Sequence, residues 1–211
     1  MNNKFQGLGW LVAGAMGVMM FASGFQATGV KAGVVDMQRI LSESAAGKKV
    51  RDDMSVQVDL RQGLLQFVNT NKVISTDQAD KLKTLTLKPG ATQADKDEVE
   101  RIKTAVRNSS KKFNDLLVKA SLTDAEKIEY NTMNEQRRNA DNMLGQWNQE
   151  FSADLNTLQD EMLAGVLKKA REAVQAVGKK DAYTMIYPTT VAVYASNDIT
   201  DTAIKAVDEA K

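Results

Sequence analysis

Carboxylates are the first candidates for chemistry. Asp95, Asp97, Glu98 and Glu100 crowd together, and Asp52-Asp53 make a second pair. Such groups can ligate a hard cation or divide acid and base roles. Neither cluster has the partners those jobs need. The larger one sits at a predicted helix start, where acids complement the helix dipole. Gly47-Lys48 lacks the preceding glycine of a phosphate loop, so ATP binding is not expected. Lys111-Lys112 and Arg137-Arg138 read as solvated helix faces. The chain has 211 residues with no His and no Cys. That excludes a Ser-His-Asp triad, a His metal ligand, a thiol nucleophile, a zinc ribbon and any disulfide. With 28 Lys+Arg against 27 Asp+Glu, there is no electrostatic footprint for nucleic acid. The sequence predicts no enzyme, no cofactor, no metal site and no nucleic-acid partner.

What remains is an architecture. The first residues read as an address. Gly7 to Ala22 is a mostly apolar run after Lys4, and Ala22-Ser23-Gly24 offers small residues at the −3 and −1 positions. A signal peptide at 1–24 is expected. Ala27 is a weaker cleavage point, because Phe25 would then occupy the −3 position. The alternative is an uncleaved anchor, which would be the chain's one membrane contact. Export gives the lack of Cys a meaning: stability must come from packing or assembly.

Aromatic residues are 6% and Pro only two, which favours long uninterrupted helix. Val30 to Val35 reads as a strand. A helix is predicted from Ser42 to about Asn69, a short one from Thr76 to about Leu85, and another from Thr92 or Asp95. Thr123 with Glu126 forms a capping box for the last long helix, to Val177, with Gly178 as its stop. On that helix Leu144, Leu155, Val166 and Val177 recur every 11 residues. So do Trp147 and Leu158, and Phe151, Met162 and Ala173. This spacing runs a stripe almost straight along a helix. Leu144, Trp147, Phe151, Leu155, Leu158 and Met162 are the expected seam of a coiled-coil hairpin. Segments 44–70 and 94–120 together match the length of 124–177. The arm therefore spans 44–177, with its tip near 120–124 and 71–93 as an insertion; the alternative places the tip at Pro89-Gly90 and leaves arms of unequal length. After Gly178, residues 183–187 and 191–195 read as two strands, and a last helix begins at Thr200 or Asp201. Residues 28–43 and 178–211 form a β body at the base. The fold class is α+β, mostly α. Three short strands per chain leave open edges that oligomerisation can close.

This order, with Gly33-Val-Val-Asp36-Met-Gln-Arg39-Ile-Leu-Ser-Glu-Ser44-Ala-Ala-Gly47-Lys-Lys-Val50 near the start, resembles the Skp/OmpH family of periplasmic chaperones. Ala182-Tyr183, Val191-Ala-Val-Tyr194 and Asp198-Ile-Thr-Asp201 resemble its C-terminal block. The resemblance implies a homotrimer with a shared β body, here Val34, Val35, Ile186, Val191, Val193 and Tyr194. It implies projecting arms around a cavity that holds unfolded outer-membrane proteins without ATP. The helical middle is longer and more broken than the family hairpin, and the neutral charge departs from basic members. Flexible Met54, Met133 and Met143 are candidates to face clients. The rival function is a membrane-anchored structural coiled coil of the envelope.

Overall fold

The computed structural model describes residues 30–192 and 196–210. The expected signal peptide at 1–24, and Val193 and Tyr194 of the expected β body, lie outside the described residues. Helix makes up 77% of the structure, beside one two-stranded sheet. The class is α+β, mostly α, as the sequence predicts.

Strand β1 (Ala32–Val35) opens the body. The Asp36 carboxylate accepts from the N–H groups of Gln38 and Arg39 and starts α1 (Met37–Glu43). The Ser44 hydroxyl accepts from the Gly47 N–H and starts α2 (Ala45–Thr70). The sequence predicts one helix start at Ser42, but the chain uses two caps. At each, a side-chain oxygen reaches a free N–H two or three residues on. The bend at Ser44 brings the Leu41 carbonyl onto α2. A Cβ at Gly47 would lie 1.7 Å from that oxygen, so glycine alone fits.

The arm continues with α3 (Thr76–Leu87), α4 (Gln93–Leu117) and α5 (Asp124–Lys180). Each begins with a reciprocal capping box, Ser75 with Gln78, Thr92 with Asp95 and Thr123 with Glu126. Between α3 and α4, Gly90 takes the left-handed conformation (φ 66°), which glycine adopts without steric cost. Lys72 pairs with Asp141 at 2.6 Å and Lys83 with Glu150 at 2.9 Å. Helix α3 therefore runs back along α5 toward the body. Helix α4 then runs outward beside the end of α2, where the Arg107 guanidinium lies 5.5 Å from the Phe67 ring centroid. So α2 and α4 overlap instead of joining end to end, and the matching lengths do not describe how they pair with α5. Residues 118–123 connect α4 to α5.

The long helix ends later than predicted. Gly178 is buried inside it, and a Cβ there would stand 2.9 Å from the Ile186 Cδ1. Its role is close approach, not termination. The stop comes at Ala182, which takes φ 55°. There Tyr183 N–H donates to Gly178 O at 2.9 Å and Ala182 N–H to Lys179 O at 3.5 Å, the paired bonds of a Schellman ending.

Strand β2 (Met185–Pro188) pairs parallel with β1, Ala32 opposite Met185 and Val35 opposite Pro188. Of the expected third strand at 191–195, residues 193–195 lie outside the described residues. Thr189 N–H still reaches Val35 O at 3.0 Å, but the chain then turns, with Val191 N–H on Pro188 O at 2.9 Å. Val191 is 70% exposed in that turn. The chain returns on the far side of β1 by one parallel bridge, Val34 with Asp198. Helix α6 (Thr200–Glu209) closes the body, packing with α1, α5 and β1 around Val35, Ile40, Ala173, Val177, Ile199 and Ala203.

Candidate functional site

The two sequence blocks at the chain's ends meet in the body. Thr200 Oγ accepts from the Asp36 N–H at 2.9 Å and donates to the Asp198 carboxylate. The Thr200 hydroxyl, and then the Thr200 N–H at 2.8 Å, hold the Asp198 pKa below the ordinary carboxylate value. Arg39 grips Glu43 through two 2.9 Å bonds and Asp201 at 3.0 Å. The Ala45 N–H donates to Asp208 at 2.7 Å. These residues fasten α1, α2 and α6 into one base from which the arm leaves.

Of the expected β-body residues, Val34 and Val35 are buried in β1, and Ile186 is half-buried on β2 against Gly178. The other side of β2 has no partner strand among the described residues. Met185 and Tyr187 lie exposed on this strand.

The expected seam divides into two. Trp147 and Phe151 are buried with Leu64, Val68, Leu82 and Ile102, and Leu144 packs against this cluster. Four helices contribute to it. Beyond it, Val73, Phe113, Leu116 and Met133 form a smaller core at the tip, with Tyr130 stacked on Phe113 at 5.3 Å. Leu155, Leu158 and Met162 are only half-buried. No side chain of α5 is buried between 152 and 165, and none of α2 between 48 and 60. The buried positions of α5 recur at seven, as 133, 140 and 147, then 166 and 173, and 170 and 177. The 11-residue rows cross the bare stretch without being covered there.

Charge follows the same division. Among the described residues, ion pairs from α5 to other arm segments use Glu126, Glu129, Asp141, Glu150 and Asp154. None comes from 155–169. Glu126 is held at a pKa of about 2, first by Lys119 and then by the Thr123 N–H. Asp95 is also held at about 2, first by Lys88 and then by Thr92. This accounts for one member of the carboxylate cluster: Asp95 caps α4.

The bare stretch holds a groove of about 360 Å³ between α1, α2 and α5, lined by Leu41, Val50, Met54 and Leu163 with Gln38 and Gln159. Val56 is exposed on α2 nearby in sequence. A further exposed apolar group, Leu117, Val118 and Ile128, lies near the tip. Of the three methionines expected to face clients, Met54 lines the groove. Met133 is buried in the tip core, and Met143 packs against the four-helix cluster.

Sequence reasoning missed Arg61. Its side chain is buried, donates to Gln57 Oε1 at 2.7 Å and lies 5.7 Å from the Phe151 ring centroid. The available signal was its place on the apolar row with Leu64 and Val68. Among the described residues no His/Cys/Asp/Glu group could hold a metal ion, and no helix is long and apolar enough to cross a membrane.

Comparison with known proteins gives one result. A family model described as "Outer membrane protein (OmpH-like)" matches residues 31–207. No curated protein and no solved structure matches the chain.

Proposed function

This chain belongs to the OmpH-like family, and from that premise we propose that it is an ATP-independent holdase for unfolded outer-membrane proteins, working as a homotrimer. At family level the function is that of a periplasmic chaperone of outer-membrane proteins. The holding mechanism, the trimer, the enclosed cavity and removal of the segment 1–24 are our reading. The observation that carries it is the bare inner stretch of the arm. A helix pair 13 residues long on one side (48–60) with no buried side chain leaves apolar surface half in water. Chains rarely keep such surface without a partner.

An unfolded membrane strand presents apolar side chains that aggregate in water. Half-exposed Val50, Met54, Leu155, Leu158 and Met162 give it many weak contacts, and avidity adds them. Met54 is the methionine suited to repacking around varied clients. Net charge is +1, so capture rests on apolar contact and not on electrostatic steering. The open side of β2 supports assembly, since an unpaired edge can be closed by another copy. Val34, Val35 and Ile186 would then lie at the heart of the shared body.

The direct test adds the purified protein in stoichiometric excess to an unfolded outer-membrane porin diluted from denaturant. Light scattering should fall, and unchanged scattering refutes the holdase. Sedimentation should give three chains, and a mass near one chain refutes the shared body. Mass spectrometry of the N-terminus should find processing near Gly24. Met1 retained in a membrane fraction would favour the anchored structural protein.

A further inference from the structure

Between the outer turns of α2, the end of α3 and the middle of α4 lies a second cavity, of about 390 Å³. That is the size range of ligand pockets. Leu60, Leu64 and Phe67 give it an apolar lining, and Gly63 stands among them with nothing within 4 Å of where a Cβ would be. Lys103 and Arg107 also line it. Arg107 faces the Phe67 ring and has no carboxylate partner among the described residues. Lys103 Nζ lies 2.8 Å from Glu100, and an ammonium has three donors, so it can hold a second acceptor. Thr86 adds a buried hydroxyl with no hydrogen-bond partner. Orphaned buried hydroxyls are costly and call for a partner.

Two cations and an orphan donor beside an apolar lining fit an apolar group that carries a carboxylate. Gln66 and Asn71 also line the cavity. Gln66 is exposed at the rim and the Asn71 amide nitrogen already donates to Phe67 O at 3.0 Å, yet both keep acceptors and donors that can pair with peptide N–H and C=O groups, which an alkyl chain does not offer. Asp59, exposed on the α2 side of the lining, can accept a peptide N–H. The geometry points to a site for the C-terminal residue of an unfolded polypeptide. Its apolar side chain would lie over Leu64 and Phe67, and its free α-carboxylate would reach Lys103, Arg107 and the Thr86 hydroxyl. The pocket would thus hold a client by its end while the inner arm holds its length, so its setting rests on the holdase reading.

Fluorescence polarisation on the full-length chain tests the site with a labelled hexapeptide ending in Phe, as the free acid and as the amide. The acid should bind at least about tenfold more tightly, the scale of one buried charge-assisted contact. Gly63→Leu should fill the cavity and weaken the acid by a similar factor, with helicity kept because Leu is a better helix former than Gly. Arg107→Gln should narrow the gap between acid and amide. Equal binding of acid and amide overturns the proposal. So does undiminished binding by Gly63→Leu, or dodecanoate binding more tightly than the peptide acid. If the wild-type chain suppresses porin aggregation but shows no acid preference, the pocket fails and the holdase stands. If it prefers the acid but leaves aggregation unchanged, the holdase fails alone.

Discussion

The outer and inner halves of the arm share one helix and use it differently. In the outer half, α5 meets α2, α3 and α4 around Trp147 and Phe151, and interhelical ion pairs surround the core. In the inner half, among the described residues, α2 alone runs beside it between the body and that core, and Leu155, Leu158 and Met162 stay half-exposed. The apolar stripe is the same kind of residue in both. What differs is the number of neighbours available to cover it. Two helices side by side enclose a line of contact; four enclose a volume.

Breaking the outer half should cost most. Trp147→Ala should destabilise by about 3–5 kcal/mol, the range for a buried aromatic cut to Ala, read as a lower denaturation midpoint. The joint between body and arm comes next. Gly47→Ala should cost about 3 kcal/mol, the upper range for overpacking, because its Cβ meets backbone that cannot rotate away. Leu158→Ala in the inner half should cost under about 1 kcal/mol, as for a surface change, yet weaken suppression of porin aggregation. A loss as large as Trp147→Ala would mean the inner stretch is covered.

The smallest effect is at the helix starts. Glu126 and Asp95, both with pKa about 2, lie below their ordinary values of 4.5 and 3.8. A depressed carboxylate stabilises the fold above its unfolded pKa. That contribution is lost as pH falls from about 4.5 toward 2. Amide protection factors at the first turns of α4 and α5, taken relative to the unfolded chain at the same pH, should therefore fall over that window. Glu126→Gln should remove the change at α5 and leave it at α4. Both carboxylates are half-buried but their lysine partners are exposed, so added salt should shrink the effect.

Much of this was legible. Thr123 and Glu126 announced a cap because the capping box is local in sequence. The long α5 followed from scarce Pro and a sustained stripe. The glycines were not legible in their roles. Gly47 is needed because Leu41 crosses it, and Gly178 because Ile186 does, and both neighbours belong to other elements. The strands Ala32–Val35 and Met185–Pro188 are apolar enough to pair in either sense, so the parallel register depended on how the body folds. The 11-residue rows gave the face of α5 but not its cover, which α3 and α4 supply only as far as Phe151. Arg61 shares the row of Leu64 and Val68, but the Phe151 ring beside it comes from α5, so its burial depended on the packing of two helices.

The most direct measurement places a photo-crosslinking side chain at Val56 or Leu163 in the inner half, and at Arg101 in the outer half, each in the full-length chain loaded with an unfolded porin. Crosslinks concentrated at Val56 and Leu163 are the predicted result. Crosslinks at Arg101 with none at Val56 or Leu163 would contradict the claim that the uncovered stretch holds the client.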